Sequence, residues 1–194
     1  MADSADSNPY LDLPDKERMD MRRQLLMDII QSEGDFVLDM DTFLQEFVDP
    51  ILVRDNAFKR SFLSESSIAV TLNLYRDIYT ACNAFSLSLQ SATSGEAFAK
   101  AYVQFASSLR LFAQFASVNV SCLNSLKGFG KQLRAYLREN TLPEDMTIES
   151  AIVQPIQHYT TYRQQFQNIV WLTPSSRPET QALLDAMEVV RTIY

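Results

Sequence analysis

The sequence predicts an all-α protein, an elongated antiparallel bundle of about six main helices. The chain has 194 residues, of which 46% are hydrophobic and only 4 are glycine. Glycine normally makes up about 7% of a chain, and so low a content leaves few of the tight turns that join β-strands or cradle nucleotide phosphates. Apolar residues recur every three or four positions along most of the chain, which is typical of helices with one buried face.

The first two helices are separated by a connector. After a flexible N-terminal tail over 1–14, we predict a helix over 15–48 that Pro50 ends, because proline cannot continue a helix from its interior. Residues 51–64 form the connector, and a second helix spans 65–90.

Four more helices are predicted over 96–117, 119–139, 147–171 and 176–194. We expect Asn119, Thr147 and Ser176 to cap the last three of them, with Ser150 taking the capping-box position three residues after Thr147. No stop signal precedes Tyr194, so the domain is expected to cover 15–194 with a truncated last helix.

Charge and composition restrict the function. The formal net charge is -7, which argues against nucleic acid or an anionic membrane as the main partner. No apolar run is long enough to span a bilayer and no signal peptide is visible. We therefore expect a cytoplasmic protein, with Cys82 and Cys122 as reduced, buried thiols.

The sequence lacks the combinations of residues that covalent catalysis or metal binding would need. His158 is the only histidine, which disfavours a histidine-based metal cluster or catalytic dyad. The segment Gly128-Phe129-Gly130-Lys131 lacks the spacing of a phosphate-binding loop. We predict no catalytic residue, no metal and no cofactor.

Glu33 interrupts the apolar face of the first helix. At 100° per residue, eight apolar residues lie within about 60° of it, so its carboxylate falls at the centre of the buried arc. They are Leu26, Ile29, Ile30, Phe36, Val37, Met40, Leu44 and Phe47. A buried carboxylate without a partner is costly. Either an internal arginine or lysine pairs with it, or this part of the face is open to a partner protein.

One face of the fifth helix carries uncharged hydrogen-bonding side chains. Solvated faces usually carry lysine and glutamate, so this face is suited either to a polar partner or to water alone. We call it the polar stripe, and it comprises Ser150, Gln154, Gln157, Thr161 and Gln164, with Val153 at its margin.

The segment from Ile148 to Tyr162, with its Pro155-Ile156-Gln157 core, resembles the third conserved region of the Dbl-homology (RhoGEF) domain family. The run Ser32-Glu33-x-x-Phe36-Val37 is similar to the helix-one signature of that family, and Leu74 to Tyr79 resembles its second helix. The resemblance covers about 16–194.

The resemblance implies a guanine nucleotide exchange factor that binds a Rho-family small GTPase in its GDP-bound or nucleotide-free form. In the family, the helix-one glutamate contacts switch I, a position that Glu33 occupies here, while Gln157 and Thr161 would face switch II. Exchange would proceed through binding alone, without covalent chemistry. The expected GTPase-binding residues are Glu33, the polar stripe with Val153, and Glu188 and Arg191 of the last helix.

Three family positions that are usually basic are neutral or nearly so here, namely Gln154, His158 and Thr161. A degenerate module that binds a GTPase or another protein without exchange is therefore an alternative, and an unrelated helical scaffold is a third. A pleckstrin-homology domain usually follows this domain, and such a domain or a partner could recruit the protein to a membrane. The sequence leaves the identity of the GTPase and the oligomeric state open.

Overall fold

The computed structural model describes residues 8–53, 66–131, 135, 142–144 and 146–191, and the regular elements among them are all helices, with no strand. The prediction of an all-α fold with six main helices is confirmed. The elements are α1 (Asp15–Phe43), a π-helical segment (Leu44–Val48), the short α2 (Asp49–Val53), α3 (Ser66–Ser91), α4 (Gly95–Ala106), α5 (Leu109–Gly128), α6 (Ile148–Leu172) and α7 (Thr180–Arg191).

The prediction that Pro50 ends the first helix is wrong. The chain continues through the π-helical segment, in which the Asp49 N–H donates to the Leu44 carbonyl five residues earlier. Pro50 then lies in the first turn of α2.

The boundary between the third and fourth helices was placed about ten residues too late. The break falls at Ser107 and Ser108, where the Ser107 hydroxyl donates to the Gln104 carbonyl. Serine side chains compete for backbone groups in this way and favour helix ends. Asn119, predicted as a cap, is buried inside α5. That helix ends at Gly128, and the predicted end near Glu139 lies outside the described residues.

The start of α6 was predicted correctly. The Thr147 hydroxyl accepts a hydrogen bond from the Ser150 N–H at 3.0 Å, and the Ser150 hydroxyl accepts one from the Thr147 N–H at 3.0 Å. This reciprocal pair is a capping box in which serine replaces the usual glutamate.

Ser176 does not cap the last helix. The Leu183 N–H donates to the Glu179 carbonyl, and α7 begins at Thr180, four residues later than predicted. Pro178 explains the delay, because the residue before a proline is disfavoured in the helical region.

The chain forms two compact units, and α1 and α6 each contribute to both. Unit 1 comprises Met1–Glu33, Phe85–Ser107 and Thr160–Tyr194, and unit 2 comprises Gly34–Ala84 and Ser108–Tyr159.

The core of unit 1 is aromatic. Phe85 stacks on Phe105 with ring centroids 4.2 Å apart, and Tyr102 stacks on Phe166 at 4.2 Å. Such pairs contribute about 0.5–1.5 kcal/mol beyond their burial. The rings of α3, α4 and α6 therefore fix these helices against one another within the unit.

An ion pair also joins α1 to the start of α7 in unit 1. Arg22 of α1 lies 3.5 Å from the carboxylate of Glu179, at the start of α7. Burial lowers the pKa of Arg22, and Glu179 opposes that change. Gly95 of α4 is required beside this pair, because a Cβ atom there would lie 2.5 Å from Cγ of Glu179.

The core of unit 2 has its own aromatic cluster. Tyr75 packs between Phe43 at 5.1 Å and Phe115 at 6.2 Å, and Tyr159 stacks on Phe112 at 5.2 Å. Cys82 and Cys122 are buried and no disulfide joins them, as predicted.

The N-terminal segment is attached from Asn8 onward. The side-chain amide of Asn8 donates to the Trp171 carbonyl at 3.1 Å, and residues 10–13 form a turn. The flexible tail expected over 1–14 stays a prediction for residues 1–7, which lie outside the described residues. Across the part of the chain that the structure describes, no helix is long and apolar enough to cross a membrane.

Candidate functional site

Glu33 is buried within unit 1, with 2% of its surface exposed. The Tyr162 hydroxyl of α6 donates to Glu33 Oε1 at 3.1 Å. Its burial was predicted from the helical angle, and Tyr162 is a hydrogen-bond partner that the sequence did not indicate. A tyrosine hydroxyl satisfies one lone pair of the carboxylate without neutralising its charge.

Aromatic packing fixes the hydroxyl that faces Glu33. The Tyr162 ring meets Phe105 at 5.0 Å and Phe85 at 5.9 Å, both in edge-on geometry. These contacts leave the phenol little rotational freedom. The Glu33 carboxylate is therefore held by a partner that is itself rigid.

The part of the polar stripe in unit 2 lies at the surface. Ser150 and Gln157 are exposed, and Gln154 and Val153 are half-buried. Gln154 Nε2 donates to Asp39 Oδ2 of α1 at 2.7 Å, which links α6 to α1.

The stripe continues along α6 within unit 1. Gln164 is exposed and its amide donates to Asn168 Oδ1 at 3.0 Å, one turn further along the helix. Thr161 is half-buried. The predicted stripe therefore lies along the exposed and half-buried side of α6 in each unit.

A groove opens beside the stripe in unit 2 and has a volume of about 450 Å³. Leu38 and Asp39 of α1 form one wall, Ser150 and Gln154 of α6 another, and Pro143 and Met146 close one end. We call this the α1–α6 groove. It combines apolar and hydrogen-bonding surface, as binding sites usually do.

The sequence analysis missed Leu38 and Asp39. Leu38 is 64% exposed, although leucine is normally buried. It lies about 140° from Glu33 around α1, well outside the apolar arc, and that angle could have identified it from the sequence.

The predicted residues of the last helix are only partly described. Glu188 is exposed on α7 and lines a second groove, of about 310 Å³, with Trp171 and Leu184. The side chain of Arg191 lies outside the described residues.

His158 occupies one of the family's usual basic positions, and in unit 2 its ring stacks on Phe36 with centroids 3.9 Å apart. Nearby on α6, burial raises the pKa of Tyr159.

Among the described residues no cluster of histidine, cysteine or carboxylate side chains could hold a metal ion. The chemistry available at this surface is hydrogen bonding and packing.

Comparison with known proteins gives a consistent result. A family model described as the RhoGEF domain matches residues 25–194. The Kinase and exchange factor for Rac B of Dictyostelium discoideum is 20% identical over 186 residues, a match that spans 88% of this chain and 16% of that protein. This chain therefore corresponds to a small part of that relative.

Solved structures share the fold. A structure of the Vav1 exchange factor aligns with a TM-score of 0.69 at 14% identity, covering 91% of this chain and 48% of the Vav1 chain. The linker-DH/PH domains of p115-RhoGEF align with a TM-score of 0.63 at 16% identity, covering 91% of this chain and 56% of the other.

Proposed function

Because this chain belongs to the RhoGEF domain family, we propose that it is a guanine nucleotide exchange factor for a Rho-family small GTPase. It would bind the GTPase in its GDP-bound or nucleotide-free form, remodel switch I and switch II, and so release GDP. The similarity to an exchange factor for Rac B supports this class of partner.

The observation that carries the proposal is the buried carboxylate of Glu33. Burying a carboxyl group in an apolar core is costly to stability, and residues that break the rules of the core are most often retained for function. Glu33 stands where the family's switch I contact is expected, and Tyr162 holds it in place.

A change of Glu33 rotamer would bring the carboxylate from the core to the GTPase. A carboxylate has about four acceptor positions, so it can exchange the Tyr162 hydroxyl for donors of the partner. The polar stripe would face switch II, with Gln157 and Thr161 as central contacts and Glu188 and Arg191 on the last helix beyond it.

Exchange requires only a modest lowering of the activation barrier to GDP release. A 1000-fold acceleration of GDP release corresponds to about 4 kcal/mol of barrier lowering. Hydrogen bonds to charged groups contribute about 1.5–3 kcal/mol each, so two or three would suffice. They must be stronger in the nucleotide-free complex than in the GDP complex, because binding both states equally accelerates nothing.

We expect Glu33→Gln to reduce the exchange rate at least tenfold, because a charge-assisted contact of about 1.5–3 kcal/mol is lost. The amide oxygen can still accept from Tyr162, so the free energy of unfolding should be unchanged or higher. Release of a fluorescent GDP analogue measures exchange, and urea titration measures stability.

Glu17→Gln is the matched control for this test, since Glu17 is an exposed glutamate of the same helix, α1, in the same unit. It should exchange as fast as the wild type. Full activity of Glu33→Gln would remove Glu33 from the mechanism.

A second candidate is a module that binds a GTPase without exchanging its nucleotide. The neutral side chains of Gln154 and Thr161 at family-basic positions favour it, as does the engagement of Gln154 by Asp39. If the wild type binds a nucleotide-free GTPase without accelerating release, and Thr161→Lys gains no activity, this candidate is preferred.

A further inference from the structure

The α1–α6 groove has a charge opposite to the one that the family resemblance implies for this region. Among its described lining residues, Asp39 is the one with a formal charge. Asp39 is exposed, and Gln154 occupies only its Oδ2 atom by hydrogen bonding. Since a carboxylate can accept about four hydrogen bonds, Asp39 retains capacity for a cationic donor.

The acidity extends along α1. From Gln24 to Val53 the sequence has no lysine or arginine. In unit 2 this stretch carries five carboxylates, Asp35, Asp39, Asp41, Glu46 and Asp49, of which Asp49 is paired with Arg76 of α3. Asp35 lies one turn from Asp39 on the same side of α1, whereas Asp41 lies about 160° away around the helix. The potential along this side of the groove is therefore negative, which attracts cationic groups and slows the approach of anionic ones.

The groove also has an apolar contact. Leu38 is 64% exposed next to Asp39, and Met146 lies within the same lining. Lysine and arginine have long aliphatic stems that pack on apolar surface while the charged head reaches a polar partner. A carboxylate beside an exposed leucine matches such a side chain.

We propose that the α1–α6 groove receives a segment of the GTPase that presents a lysine or arginine, with Asp39 pairing with the cation and Leu38 packing on its stem. This proposal rests on the proposed function and names the chemistry of the partner. It assigns Leu38 and Asp39, which no resemblance suggested, as determinants of which GTPase is bound. A GTPase with a carboxylate at the facing position would be rejected, because like charges would meet.

Asp39→Asn and Asp39→Lys test the proposal. Asparagine can still accept from Gln154, so the first variant removes the charge and keeps the internal bond. The rate of fluorescent GDP release is measured against exchange-factor concentration for a panel of Rho-family GTPases at low and high salt. Asp77→Asn is the control, since Asp77 is an exposed aspartate on α3 of the same unit.

For the preferred GTPase, Asp39→Asn should raise the half-maximal concentration about three- to fivefold, and Asp39→Lys about tenfold or more, with the maximal rate unchanged. The wild type should lose more affinity with added salt than Asp39→Asn does, because part of its attraction is screened. Asp77→Asn should match the wild type.

The possible failures are distinguishable. If the wild type accelerates release and Asp39→Asn has the same half-maximal concentration and salt dependence, this inference is overturned and the proposed function stands. Tighter binding by Asp39→Lys would also overturn it, because the partner would then be acidic. If the wild type neither accelerates release nor binds any nucleotide-free GTPase in the panel, the proposed function falls, and this inference with it.

Discussion

At the scale of single residues, Tyr75 carries a buried polar group that its surroundings do not satisfy. Its side chain is fully buried among aromatic rings, and its hydroxyl has no hydrogen-bond partner among the described residues. Burial, with smaller contributions from Asp39 and Cys82, raises its pKa well above the ordinary value of 10.0. An unpaired buried hydroxyl lowers stability by about 1–3 kcal/mol.

We therefore expect Tyr75→Phe to raise the free energy of unfolding by about 1 kcal/mol at pH 7. The gain should increase above pH 10. There the unfolded tyrosine ionises while the folded one stays protonated, so the wild type loses stability that phenylalanine keeps. Urea titrations at pH 7 and 10.5 measure both effects.

The free energy of unfolding of Tyr75→Phe should still fall at alkaline pH, but by less than that of the wild type. The pKa values of Tyr79, Tyr159 and Cys122 are also raised, the last two by burial and Tyr79 first by its hydrogen bond to Asp41. Equal stability of Tyr75→Phe and the wild type at both pH values would show that the Tyr75 hydroxyl has a partner.

The residues of the site were predictable where a single helix determines them. The helical angle of Glu33 was enough to predict its burial, and the stripe from Ser150 to Gln164 follows from the period of one helix. Tyr162 as the partner of Glu33 and Asp39 as the partner of Gln154 depend on how two helices pack. No spacing within one segment encodes that packing.

At the scale of elements, an N-terminal capping box fixes the start of α6, where Ser150 lines the α1–α6 groove. Thr147 and Ser150 exchange two hydrogen bonds of 3.0 Å each. They satisfy backbone N–H groups that would otherwise lack an acceptor.

Thr147→Ala should lower the free energy of unfolding by about 1 kcal/mol, the usual value of an N-cap. Thr80→Ala is a matched control in the interior of α3, where the Thr80 hydroxyl donates to the Arg76 carbonyl. It should be neutral or slightly stabilising, because alanine is the better helix former. Equal urea midpoints for the two variants would contradict a stabilising role for the cap.

Some helix boundaries could be predicted from short stretches of sequence and others could not. The strong cap at Thr147 was read correctly, because two side chains specify it. The break at Ser107–Ser108 was missed, because the apolar period runs across it and serine is only weakly unfavourable inside a helix. The π-helical segment before Pro50 was also missed, because the apolar residues keep a regular helical spacing across it.

At the scale of the whole molecule, charge distribution and family membership point to a protein partner. The net charge of -7 and the absence of basic residues from Gln24 to Val53 disfavour polyanions. The match to the RhoGEF domain covers residues 25–194. The proposed function is therefore tested on Rho-family GTPases, through release of their bound nucleotide.

The most direct measurement is the release of a fluorescent GDP analogue from a panel of Rho-family GTPases, with and without this protein. We expect at least tenfold acceleration for one or a few members, and its loss when Glu33→Gln replaces the wild type. No acceleration for any member, together with no stable complex with a nucleotide-free GTPase, would contradict the account.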